Sequence, residues 1–272
     1  MPSRIRAYCV AIALLIVTGQ PISAEAISFA ASGPDAASIQ ATVDAFRTAL
    51  GDPNNGNALG PLSTGRREIN WDGGGTATTT SPTPFNGFQN TRGASFTTPG
   101  TGFVQAPPSG LATDLTFGNP TYATLDVFSA ARLFSPIGST VTNVTFFVPG
   151  TSGGTPATVS GFGAVFSDVD LANGAALSFF NAGGTSLGTF FAPPASDGLS
   201  FFGAIFPGEL IGQIQIVSGN AALGLSEVGA IDIVVMDDVL YSEPAAVPEP
   251  ATLLLLGSTM AGLGLAWKRR AR

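Results

Sequence analysis

The chain has 272 residues, 44% of them hydrophobic and only 11% charged, with a net charge of −7. That is enough apolar material to bury a core, so composition excludes a disordered chain. There is no histidine and a single cysteine, which excludes Ser-His-Asp and Cys-His catalysis, His/Cys zinc sites and cysteine-ligated iron–sulfur clusters, and the acidic balance argues against a nucleic-acid surface.

Residues 1–26 read as a secretory signal peptide. Arg4 and Arg6 precede an apolar run at 7–17. As a helix this run spans about 16 Å, too short for a hydrocarbon core of ~30 Å. Small residues Ser23, Ala24 and Ala26 follow, as a cleavage site requires. Cleavage fits after Ala24 or Ala26, and Ala24-Glu25-Ala26 fits better. Cys9 leaves with the peptide, so no disulfide is expected in the mature chain.

The spacing predicts one helix over 35–50. Ile39, Val43, Phe46 and Leu50 fall on one face. Ser32 or Asp35 caps it, and Gly51 with Pro53 ends it. Residues 51–65 are rich in Gly, Pro and Asn and read as loop. Residues 73–101 read as irregular, with short strands at most. Residues 27–114 are therefore expected to form a helix and a loop-rich arm packed on a β domain at 115–246.

From 115 onward β-rich stretches recur at 123–134, 140–148, 159–168, 175–181, 186–191, 199–206, 210–217 and 231–236. Turn residues separate most of them, at the spacing of a sandwich. Ile214 and Ile216 share a face opposite Gln213 and Gln215. Val144, Phe146 and Val148 share one opposite Asn143 and Thr145. Phe doublets at 146–147, 179–180, 190–191 and 201–202 must split between faces. The expected fold is mainly β: an antiparallel, jelly-roll-like β-sandwich with one N-terminal helix. No helical pattern interleaves the strands, which disfavours a parallel α/β sheet.

Between residues 25 and 246 there are five arginines, no lysine and seventeen acidic residues. The charge of that segment is −12, and two acidic clusters stand out. Asp168, Asp170 and Asn173 lie in a turn after a strand and offer the oxygen ligands that calcium takes, although the spacing is not that of an EF-hand and ordinary turn chemistry uses the same residues. Asp237 and Asp238 follow an apolar strand. Alternation lets at most one point inward, and a buried carboxylate needs a cation: calcium, or Arg132. Glu68 and Asp72 are a conceivable glycosidase pair, but no nucleophile motif accompanies them and no enzyme is expected. Trp71 is a candidate for stacking on a sugar, and Arg66 with Arg67 for an anionic glycan; packing under a loop and a solvated pair explain the same residues. Asn143-Val144-Thr145 is a sequon by letter only.

The C-terminus carries three parts in order: Val247-Pro248-Glu249-Pro250, an uncharged apolar run at 251–267 ending in Trp267, and the basic tail Lys268, Arg269, Arg270 and Arg272. The run is at the lower length limit for a transmembrane helix, and the positive charge after it predicts a cytoplasmic end that stops transfer. This arrangement resembles the PEP-CTERM sorting signal. The resemblance implies recognition by an exosortase, a membrane-embedded cysteine protease that processes its substrates near Pro-Glu-Pro. It also implies transient membrane anchoring, delivery to the cell surface or matrix, and a Gram-negative host that makes exopolysaccharide.

The stretch 127–244 resembles a group of uncharacterised secreted bacterial β-domain proteins that often carry this signal. The residues concerned include 128–134, 161–170, 199–203 and 235–241, and the resemblance supplies no activity. The expectation is an exported surface or matrix protein with a structural or adhesive role in the exopolysaccharide layer. The alternative is a calcium-supported carbohydrate-binding module, with a polysaccharide hydrolase a distant third.

Overall fold

The computed structural model describes residues 25–108, 119, 121–122, 125–208 and 210–247. The signal-peptide core with Cys9, Pro248-Glu249-Pro250, the apolar run 251–267 and the basic tail lie outside the described residues. Among the described residues no helix is long and apolar enough to cross a membrane.

In chain order the elements are β1 (Ile27–Gly33), α1 (Ala36–Leu50), β2 (Arg66–Ile69), β3 (Thr79–Pro82), α2 (Gln89–Arg92), β4 (Ala94–Thr97), β5 (Gly102–Ala106), β6 (Leu133–Ile137) and β7 (Val141–Phe147). Then come β8 (Pro156–Thr158), β9 (Gly161–Val169), β10 (Ala175–Asn181), β11 (Ser186–Phe191), β12 (Ala195–Ile205), β13 (Ile211–Ser218), β14 (Val235–Ser242) and β15 (Ala245–Ala246). One sheet runs β1-β12-β9-β14-β6-β5-β3, with β2 also paired to β14; the other runs β11-β10-β13-β7-β8-β15, with β4 on β7. The pairings between these strands are antiparallel.

The sheets face each other across one core. Phe162, Phe166 and Phe202 of the first meet Val144, Phe146, Leu177, Phe179 and Ile214 of the second, as in a β-sandwich. The doublet Phe201-Phe202 splits as strand geometry requires. Phe202 fills this core, while Phe201 joins a second cluster on the outer face of the first sheet. There α1 lays Ile39, Val43, Phe46 and Leu50 on Val165, Leu199, Phe201 and Leu240. Asp35 caps the helix by accepting from the Ser38 amide at 2.9 Å, and the Ser38 hydrogen bonds hold its carboxyl below the usual range.

The seat of Phe46 depends on two glycines. Gly163 and Gly203 are register partners in β9 and β12. A Cβ at Gly163 would stand 2.7 Å from Phe46 Cε1, and one at Gly203 would stand 2.8 Å from Cε2. Gly163→Ala is therefore expected to cost about 1–3 kcal/mol through overpacking. Urea titration checks this, and an unchanged midpoint would refute the tight seat.

Three expectations need correction. Residues 27–114 are not an arm laid on a finished sandwich: β1, β2, β3 and β5 belong to the first sheet and β4 to the second. The strand expected at 123–134 starts only at Leu133, because side chains take the amides before it. Asp126 N donates to Ser167 Oγ at 2.8 Å, and Phe128 N to Asp237 Oδ2 at 2.5 Å. The strand expected at 231–236 starts at Val235 and runs to Ser242, since Asp232 N is taken by the Asn220 side chain at 2.9 Å.

Candidate functional site

The structure separates the acidic candidates into two places. The first is built on β14. The register slips between Met236 and Val239, and both of these residues point into the core between the sheets. The extra residue of the bulge lets Asp237 and Asp238 lie together against the covering segment around 128–132. Neither points inward, within the expected limit of at most one, but the bulge sets both against the same segment instead of on opposite faces. Asp237 Oδ2 accepts from Phe128 N at 2.5 Å and Ser129 N at 3.3 Å, while Asp238 Oδ1 accepts from Ser129 Oγ at 2.7 Å.

Burial, and then the charge of Asp238, push the Asp237 carboxyl well above the usual range. Burial also raises Asp238, while hydrogen bonds from Ser129 and Asp237 and the Arg47 charge oppose that rise. The Arg47 guanidinium stands 4.0 Å from Asp238 Oδ2. Two adjacent buried carboxyls disfavour double ionisation, and the larger upward push falls on Asp237, whose Oδ1 has no hydrogen-bond partner.

The neighbours of this pair are committed to the fold. Glu68 accepts from Arg47 at 2.9 Å and from Arg66 at 2.6 Å. Asp72 accepts from the Ala131 and Arg132 amides at 2.6 and 2.9 Å and from Ser129 Oγ at 3.2 Å. The Arg132 side chain is not the partner expected for Asp237 or Asp238. It donates to the Trp71 carbonyl, and to Thr79 Oγ1 at 3.1 Å.

The glycan candidates are corrected by their burial. Trp71 is 1% exposed, stacks on Phe134 at 3.8 Å and donates to the Asp237 carbonyl at 2.5 Å. It has no face left for a sugar. Arg67 is fully buried and grips Glu243 through two bonds of 2.6 Å. Arg66 is committed to Glu68 and Asp52. Asn143 lies in β7, where its side chain accepts from Gln215 at 3.3 Å.

The second place is the corner where β9 ends. Asp170, Glu227 and Asp232 bring one carboxylate oxygen each within 4.8 Å of one another. Asp232 is fully buried and accepts from Leu171 N at 3.1 Å and Asp170 N at 3.4 Å. Its carboxyl is raised, chiefly by burial. Glu227 Oε1 accepts from Ile233 N at 2.9 Å. Asp168 is buried beside them. Its Oδ1 accepts from Asp197 N at 2.9 Å, and its carboxyl is pushed up to about 7 by burial and the charges of Asp170, Glu227 and Asp197. Asn173 is in the same turn, in the left-handed region with φ 71°.

Asp168 and Asp170 thus do not share a site with Asp237 and Asp238. Their companions are Glu227 and Asp232, which the sequence reading missed. One signal was available: between 210 and 234 these are the only charged residues, and Asp232 interrupts an otherwise apolar run.

Residues 246–270 match the family model described as the PEP-CTERM protein-sorting motif. No curated protein and no solved structure matches the chain. The motif implies recognition by an exosortase, and with it export and membrane processing to the cell surface. It begins in β15, the last strand of the second sheet. The Val247 amide still donates to the Pro156 carbonyl at 3.2 Å.

Proposed function

We infer that this is a non-catalytic protein with a structural or adhesive role in the exopolysaccharide layer of a Gram-negative bacterium. The observation that carries this reading is the sorting motif at 246–270, placed directly on an edge strand of a β-sandwich. A folded module followed at once by a processing signal is the arrangement of cargo to be displayed. Supporting it, Glu68 and Asp72, the pair most suggestive of hydrolysis, are tied to arginines and backbone amides. A general acid or base needs a carboxyl within reach of substrate.

The test replaces Pro248, Glu249 and Pro250 by alanine in the native host. The expected result is loss of processing and retention of the protein in the membrane fraction, with little on the surface. Unchanged processing and surface delivery would remove the sorting part. Co-sedimentation of the full chain with the host's own exopolysaccharide tests the adhesive part, and failure to pellet with it would remove that part alone.

A further inference from the structure

We propose that the corner formed by the end of β9 and the segment preceding β14 is a calcium site, with Asp170, Glu227 and Asp232 as ligands beside the buried carboxylate of Asp168. The first observation is geometric. One oxygen from each of Asp170, Glu227 and Asp232 lies within 4.8 Å of the others. Calcium takes oxygen ligands at about 2.4 Å, so a single ion spans oxygens up to about 4.8 Å apart. The three ligands come from two distant stretches of chain, 170 on one side and 227 and 232 on the other, so an ion here would tie them together.

The second observation is independent of the group of three. Asp168 is fully buried, and its Oδ2 has no hydrogen-bond partner. Its other oxygen is used by the Asp197 amide. Asp168 stands two residues before Asp170, and among the neighbouring charges Asp170 and Glu227 act on it most strongly. A buried carboxylate oxygen calls for a donor or a cation.

Among the described residues, the arginines are engaged elsewhere. Of the five arginines between 25 and 246, Arg47, Arg66 and Arg67 form their ion pairs with Asp44, Glu68, Asp238, Asp52 and Glu243. Arg92 donates to Asn57 and Arg132 to Trp71 and Thr79. There is no lysine in the segment and no histidine in the chain. The charge that complements this corner comes from solution. Oxygen-only ligands select a hard divalent ion over a soft one. A site with part of its shell left to water fits the weak range of extracellular modules, roughly 0.1–1 mM, which an exported protein meets outside the cell.

The experiment uses the full chain in detergent, melted in EDTA, in about 10 mM calcium chloride, and in sodium chloride of equal ionic strength. Calcium is expected to raise Tm by about 5–10 °C, and EDTA to reverse it. Asp170→Asn, at an exposed position, is expected to keep or raise Tm in EDTA, because one like charge is gone, yet to weaken calcium binding at least tenfold by titration calorimetry. Glu227→Gln is expected to weaken it similarly. That opposite response in EDTA and in calcium separates a ligand from a structural residue. A wild-type melt unmoved by calcium overturns the proposal. So does a calcium shift fully retained in both variants, or one matched by sodium chloride.

Discussion

Arg67→Met is expected to destabilise the protein by about 3–5 kcal/mol, the cost of removing one partner from a buried ion pair. The fully buried guanidinium holds Glu243 through Nε and Nη2, both at 2.6 Å. Its Nη1 donates to the carbonyls of Gly56, Ala58 and Thr91 at 2.8, 2.7 and 3.1 Å. One side chain therefore satisfies a buried carboxylate and ties the 56–58 loop and the end of α2 to the residue following β14. Methionine keeps most of the volume and none of the donors. Urea unfolding measures the loss, and a cost below about 1 kcal/mol would contradict the assignment. The double variant Arg67→Met/Glu243→Leu is expected to regain part of it, because no charge is left stranded. The carbonyls at 56, 58 and 91 stay without their donor, so recovery is incomplete.

The second large effect is in pH dependence. Asp237 is raised well above the ordinary aspartate range by burial and by Asp238. The folded state therefore holds a proton that the unfolded chain has released above about pH 4. With more protons bound in the folded state, stability must fall as pH rises. The contribution is fully present below the unfolded pKa and is lost as pH climbs toward the folded one. The groups facing the pair are Asp72 and Ser129 from the covering segments, Glu68 from β2 and Arg47 from α1.

Asp237→Asn reproduces the protonated form. Its oxygen still accepts from the amides of Phe128 and Ser129, and its NH2 replaces Oδ1, which has no hydrogen-bond partner, without adding a charge beside Asp238. This variant is expected to unfold at a urea midpoint that declines less between pH 4 and pH 8 than that of the wild type, and to exceed the wild type at the alkaline end. Asp237→Ala, by contrast, strands the two amides, each at about 1–3 kcal/mol. Parallel pH profiles for wild type and Asp237→Asn would show that Asp237 carries no proton.

What was legible in the sequence follows from how local its cause is. The apolar face of α1, its Asp35 cap and its stop at Gly51 are set within a few residues, and all appear as read. The strands β7, β10 and β11 were readable because alternation and flanking turns sit in one window. Residues 66–106 were not, although they supply four strands. β2 is Arg-Arg-Glu-Ile and β3 is Thr-Thr-Ser-Pro, and their places are earned by distant partners such as Tyr241 and Val104.

The candidate sites divide in the same way. That Asp168 and Asp170 sit in one turn was visible. That Glu227 and Asp232 complete the group depends on where β9 ends relative to β14. Arg67 read as a surface charge because its partner lies 176 residues further on. Asp237 and Asp238 misled because a one-residue bulge, invisible in the letters, cancels the alternation between them.

The place of Glu243 has a mechanical consequence. Tension applied beyond Val247 meets its bond to Pro156 and then β15, whose pairing with β8 is Ala245 to Thr158 and Ala246 to Ala157. A strand that short yields by peeling. The load then arrives at Glu243, clasped by Arg67 of β2, and behind it at β14, which is held between β9 on one side and β6 and β2 on the other. Pulled along its own axis, such a strand is loaded in shear, with its hydrogen bonds sharing the force. Pulling on the C-terminus is therefore expected to release β15 before β14, a short first extension that single-molecule force spectroscopy would read.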